Sequence, residues 1–65
     1  VLSQGILVNA VLPSIIDTPA NRADMGESDA AKWVAPRELA QVIAFLLSSE
    51  ASAITGANIP VTGRI

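Results

Sequence analysis

Hydrophobic positions fall into three blocks of different period. Residues 6–12, Ile6-Leu7-Val8-Asn9-Ala10-Val11-Leu12, are apolar at six of seven positions without alternation, between Gly5 and Pro13. A short continuous run of this kind predicts a strand buried on both faces, the parallel-sheet pattern, with a short buried helix as the competing reading. The length, the valines and the closing proline favour the strand. Leu39, Val42, Ile43, Leu46 and Leu47 recur at i, i+3, i+4, i+7 and i+8, which predicts a helix over 36–48. Pro36 suits the first helical position, where its missing N–H costs nothing, and Glu38 complements the dipole in the first turn. Ala35 is a poor N-cap. Ala40, Ala44 and Phe45 widen the apolar face, so this helix is expected to have two packing partners. The third block, 57–62, follows the Thr55-Gly56 turn signal and predicts a short strand. Pro60 cannot donate to a ladder and places that strand at an edge or terminus.

Between the first strand and the helix, residues 13–35 change character. Pro13, Ser14, Asp17, Thr18, Pro19 and Asn21 are turn formers, and 22–29 is polar and small. Short helical turns are expected after Pro19 and around Ser28 to Trp33. A connection this long in a compact unit is usually functional or disordered. The order is strand, long loop, helix, strand. A crossover of over forty residues between the strands predicts parallel pairing.

Composition changes the picture in one direction. The chain has 65 residues, 51% of them apolar and 15% charged, with a formal net charge of −2. It is too apolar for a disordered tail and too weakly basic for electrostatic nucleic-acid binding. It has no Cys and no His, which removes disulfides, thiolate nucleophiles, Cys-ligated zinc and the commonest general base. The acids show no metal-ligand spacing, so no metal is expected. The opening Val1-Leu2-Ser3-Gln4 carries no basic leader, and no apolar run approaches the ~20 residues of a membrane span. A soluble, cytoplasmic setting away from membranes is the expectation. Natural domains of this size add disulfides, metals or a partner. Two strands and one helix leave a sheet face and an edge open, so the chain is expected to be part of something larger.

The residues now carry a resemblance. Gly5-Ile6-Leu7-Val8-Asn9-Ala10-Val11-Leu12-Pro13-Ser14-Ile15-Ile16-Asp17-Thr18-Pro19 resembles the sixth strand and following loop of the short-chain dehydrogenase/reductase family, whose pattern there is G-I-x-V-N-x-V-x-P-G-x-x-x-T. Pro36 to Ala40 and on through Phe45 to Ser49 resembles its last large helix. Ser52 to Gly63 resembles the stretch ending in its seventh strand. The three lie in register over essentially the whole chain. The fold this implies is α/β: the C-terminal strand–loop–helix–strand of a doubly wound parallel Rossmann-type sheet, incomplete on its own. Residues 1–65 would be the C-terminal segment of one NAD(P)-binding domain. The family's Gly-rich phosphate loop has no counterpart here, nor does its Ser…Tyr-x-x-x-Lys set. With no Tyr in the chain, no catalytic residue is carried over.

What the resemblance implies is one wall of a nicotinamide pocket, NAD or NADP being the cofactor. Ligands of open α/β sheets sit beyond the carboxyl ends of the strands, and Pro13 to Thr18 leaves such an end. Pro13 and Ser14 would start the loop over the cofactor. The backbone N–H and C=O of Ile16 would pair with the carboxamide, and the Thr18 hydroxyl would contact the carboxamide or pyrophosphate. Ser14 stands where the family has Gly, which requires a negative φ there. Val61-Thr62-Gly63-Arg64 stands where the family often has Val-Asp-Gly-Gly. Asp17-Thr18-Pro19-x-Asn21-Arg22 with Met25 and Trp33 also resembles the same loop in the dihydropteridine reductase subgroup, set against a generic 3-oxoacyl, sugar or alcohol reductase. Partners implied are the rest of the Rossmann domain, a small carbonyl or alcohol substrate and further copies in a homo-oligomer.

Blander roles stand beside these. Asn9 would satisfy neighbouring backbone groups, and Thr18 could serve only as a helix cap. Met25 and Trp33 either line a substrate pocket under a mobile lid or anchor the loop to the core. Arg22 is expected to be a solvated charge, with an anionic substrate as the alternative; Lys32 and the acids Asp24, Glu27 and Asp29 read as a wet surface. The function expected is a segment of an NAD(P)-dependent oxidoreductase moving hydride between nicotinamide and a carbonyl or alcohol. The alternative is a non-catalytic fragment persisting by self-association or with a partner.

Overall fold

The computed structural model describes residues 4–65. Val1 to Ser3, part of the opening read above for a leader, lie outside the described residues. Two strands, β1 (Ala10–Pro13) and β2 (Asn58–Val61), form a parallel two-stranded sheet in the register Ala10–Asn58 to Pro13–Val61. Between them run α1 (Pro19–Met25), a 3-10 turn (Ala30–Lys32), α2 (Pro36–Leu46) and a second 3-10 turn (Ser49–Ala51). The order, the parallel pairing and the helical turns after Pro19 and before Trp33 match the reading of the sequence.

The first strand is shorter than expected. Its ladder covers Ala10–Pro13, and residues 6–9 lie outside it. The cause is the partner: before Asn58 the chain is still in the turn at Gly56, so nothing extended faces residues 6–9 from that side. Side chains tie the two segments instead. Asn9 Nδ2 donates to the Ile54 carbonyl (3.2 Å) and Asn9 Oδ1 accepts the Ala57 N–H (2.9 Å). Gly56 N–H donates to the Val8 carbonyl at 2.7 Å. In β2 the carbonyls of Ala57 and Val61 accept from Ala10 and Ser14. Odd positions therefore face β1, and the nitrogen of Pro60 faces the outer edge, where its missing N–H removes no ladder bond.

α2 begins at Pro36 as the pattern predicts and ends two residues early. Leu47 caps it, and at Ser48 the backbone turns extended (ψ 164°). The Ser48 hydroxyl donates to the Phe45 carbonyl at 2.6 Å, a local bond that competes with helix continuation. The weak Ala35 cap is half repaired: the Glu38 carboxylate accepts the Ala35 N–H at 2.9 Å. No α2 residue is buried within the described chain, so the two expected packing partners are not both found in it.

Packing confirms that the segment is not a self-contained core. Only Ala30, Trp33, Val34 and Ala51 are buried among the described residues. The radius of gyration is 14.6 Å, against roughly 11 Å for a compact chain of this length. Ile6, Val8, Leu12, Phe45 and Leu47 are exposed, and Leu7, Val8, Val11, Ile43, Leu46 and Leu47 line an open apolar groove of about 280 Å³ between the first segment and α2.

Candidate functional site

The chain leaves β1 at Pro13 and turns across the end of the sheet. Ser14 secures the exit: its N–H donates to the Val61 carbonyl (3.1 Å) and its hydroxyl to the Thr62 carbonyl (3.1 Å). Gly is the only residue type with positive φ among the described residues, so Ser14 takes the negative φ that its substitution for the family glycine requires. Its hydroxyl is thus engaged with the end of β2.

Beyond Ser14, Ile16 forms a single parallel bridge with Val34. The bonds of this bridge belong to its neighbours: Val34 N–H donates to the Ile15 carbonyl (2.9 Å), and Asp17 N–H to the Val34 carbonyl (2.7 Å). In extended backbone successive peptide groups point to opposite sides. The N–H and C=O of Ile16 therefore point away from Val34. Among the described residues no acceptor meets the Ile16 N–H, and the Ile16 carbonyl accepts one bond, from Asn21 Nδ2 at 2.8 Å. A carbonyl has two lone pairs, so one stays open.

Thr18 is the N-cap of α1. Its hydroxyl accepts the Asn21 N–H (3.1 Å), and Pro19 occupies the first helical position. Capping uses the oxygen as acceptor and leaves its proton free to donate outward. α1 stops at Gly26, whose φ of +79° and ψ of 171° lie in a region essentially reserved for glycine.

Arg22 does not behave as the solvated charge the sequence suggested. Its guanidinium takes both Asp17 oxygens (Nε–Oδ1 2.6 Å, Nη2–Oδ2 2.8 Å) and Glu27 Oε1 (2.7 Å). The fork geometry matches a carboxylate, which is why arginine closes this loop. Hydrogen bonding from Arg22 holds the Asp17 carboxyl below its usual range, and Asp17 with Glu27 raises the Arg22 pKa. Glu27 stays on the wet face, 67% exposed while paired with Arg22, as do Lys32 and Asp29, 4.0 Å apart.

Met25 and Trp33 separate. Met25 is 53% exposed at the end of α1, whereas Trp33 is 4% exposed. Sequence reading missed three contributors. Asn21 holds the Ile16 carbonyl; its place three residues after a capping threonine is the signal that was available. Val34, fully buried, supplies the bridge. Arg64 reaches Glu38 (2.7 Å) and the Trp33 carbonyl (2.8 Å). That arginine was visible only as a departure from Val-Asp-Gly-Gly.

Residues 1–63 match the family profile described as enoyl-(acyl carrier protein) reductase. The 3-oxoacyl-(acyl-carrier-protein) reductase FabG of Vibrio cholerae is 37% identical, over 97% of this chain and 29% of its own length. The meso-2,3-butanediol dehydrogenase of Serratia marcescens is 40% identical, over 91% of this chain and 27% of its own. A solved structure of a 4-hydroxyisoleucine dehydrogenase complexed with NADH superposes on 94% of the chain with a TM-score of 0.72 and 31% identity. The chain spans under a third of the length of each of these proteins.

Proposed function

The chain belongs to the short-chain dehydrogenase/reductase family, and we propose that it works as the C-terminal quarter of an NAD(P)-dependent oxidoreductase acting on a small carbonyl or alcohol. The observation that carries this reading is the outward-facing peptide pair of Ile16, held by the bridge to Val34 and by Asn21. A nicotinamide carboxamide offers N–H donors and a C=O acceptor, and Ile16 offers the complement on an extended backbone. Pro13 and Ser14 set the path of the loop, and the Thr18 hydroxyl has a proton to give to the carboxamide or a phosphate oxygen. When bound, the nicotinamide would give hydride to a carbonyl or take it from an alcohol; these residues would fix which ring face meets the substrate.

On this reading Met25, exposed at the end of α1, contacts substrate from the loop. Trp33, buried, serves the anchoring role of the two weighed for it. The proton donor and the phosphate cradle lie outside residues 1–65. The relatives include a 3-oxoacyl-(acyl-carrier-protein) reductase and a meso-2,3-butanediol dehydrogenase, which supports the generic reductase reading over the dihydropteridine subgroup.

Two tests apply. The coding sequence upstream of Val1 should encode a Gly-rich βαβ unit and a Tyr-x-x-x-Lys motif; absence of both rejects the proposal. In addition, residues 1–65 should replace the matching quarter of the Vibrio reductase and preserve binding of its nicotinamide cofactor. A folded chimera that no longer binds NADH or NADPH would overturn the role assigned to Ile16.

A further inference from the structure

We propose that Arg64 is a positioning residue for the nicotinamide shelf, fixing Val34 from both sides through Trp33 and Glu38. The inference rests on the assignment of Ile16 made above. The Arg64 N–H donates to the Lys32 carbonyl at 2.9 Å. Its guanidinium gives Nε to the Ala31 carbonyl (3.3 Å), Nη2 to the Trp33 carbonyl (2.8 Å) and to Glu38 Oε1 (2.7 Å), and Nη1 to Glu38 Oε2 (3.1 Å). Glu38 in turn accepts the Ala35 N–H at 2.9 Å. The peptide group before Val34 is therefore tied to Arg64, and the one after it is tied to the acid that Arg64 holds. Val34 itself is fully buried and makes both bonds of the bridge to Ile15 and Asp17.

Two features show that this is a built contact. Gly63, at φ +67°, lies so close to the loop that a Cβ there would stand 2.8 Å from the Lys32 oxygen and 3.1 Å from the Trp33 carbonyl carbon. Glycine is what lets the C-terminal turn approach. The planar fork of arginine then reaches a carboxylate and a carbonyl together, which the single ammonium of lysine cannot reproduce. The residue sits where the family pattern often has glycine, which has no side chain to make this tie.

The test uses the full-length protein carrying this segment, with Arg64→Gly and Arg64→Lys, and with NADH and NADPH as probes. In Arg64→Gly, exchange of the Asp17 and Val34 amides should rise by about tenfold or more while the β1–β2 ladder amides hold, the mark of local opening. The cofactor KM should rise roughly three- to tenfold with kcat within about twofold, since a shelf that shifts weakens binding more than chemistry. Arg64→Lys, which keeps the charge beside Glu38, should fall between. Unchanged exchange at Asp17 and Val34 overturns the tie. Exchange that rises everywhere together assigns Arg64 a merely structural role and equally overturns it. If exchange rises locally but the unsubstituted protein binds neither NADH nor NADPH, the reading of Ile16 has failed, and the positioning role falls with it.

Discussion

Thr18 illustrates how one atom serves two tasks. Its oxygen accepts the Asn21 N–H and so starts α1, and its proton remains available outward. Thr18→Val keeps the shape and loses both. It should cost about 0.5–2 kcal/mol of stability through the cap alone. It should also raise the cofactor KM of the complete enzyme, whereas Thr18→Ser should restore both. Urea melts and initial-rate kinetics on the same preparations read the two separately. Glu38 offers a second residue-scale prediction. Hydrogen bonds from Arg64 and from the Ala35 N–H hold its pKa down to about 2, below its ordinary 4.5. A lowered folded-state pKa means that the unfolded chain binds more protons in this window. The Glu38 contribution is thus complete above about pH 4.5 and fades as pH falls toward 2. Asp17, lowered by Arg22, acts with the same sign. Glu38→Gln should flatten part of the loss of stability between about pH 5 and pH 2.5, measured by urea melts along the pH series. A variant with an unaltered pH slope would show that the Glu38–Arg64 pair contributes nothing.

At the scale of elements, the glycines that end α1 and follow β2 separate conformation from contact. Gly26 and Gly63 both have positive φ, but only Gly63 has backbone within reach of an added Cβ. Gly26→Ala should cost about 1–3 kcal/mol from backbone strain alone, since its φ of +79° and ψ of 171° lie in a region essentially reserved for glycine. Gly63→Ala should cost distinctly more, because Lys32 and Trp33 backbone must also move; thermal melts of the two variants give the comparison. The elements themselves were largely legible. The stripe Leu39 to Leu47 located α2, and Pro36 marked its first residue. The apolar run before Pro13 located β1 but overstated its length, because apolarity reports burial in a complete sheet and not which residues find a ladder partner in this segment. Asn9 was read correctly as a backbone partner because a polar group inside an apolar run must be hydrogen-bonded. Arg22 was misread for the opposite reason: its partners Asp17 and Glu27 come together only when α1 folds, and spacing in a loop carries no period from which to infer that.

For the whole molecule, the expectation of an incomplete unit rested on absences in the composition, and the structure gives it a positive form. Among the described residues, four buried side chains and an elongated outline make little core, and large side chains such as Leu47, 83% exposed, line its flank. Isolated as a 65-mer, the chain should self-associate on gel filtration at micromolar concentration through the groove between residues 7–11 and α2. It should show no NAD(P)H oxidation, since it has neither Tyr nor His to pass a proton. A well-behaved, folded monomer would contradict the first expectation, and turnover by the pure 65-mer the second. Full-length protein separates the leading reading from that of a non-catalytic associating fragment, which predicts no nicotinamide binding in any context.

Pro60 and Pro13 blunt the two margins of the sheet. Of the two β2 residues whose peptide groups point outward, Asn58 and Pro60, one has no hydrogen to give, so a newcomer strand docking there would meet a broken row of donors. On the far side of β1 the outward groups are those of Val11 and Pro13, and Pro13 likewise has no hydrogen to give. A further strand, whether from the same polypeptide or from a neighbour, would therefore find one backbone donor within either ladder, Val11 or Asn58, and side-chain packing would have to supply the rest of the pairing.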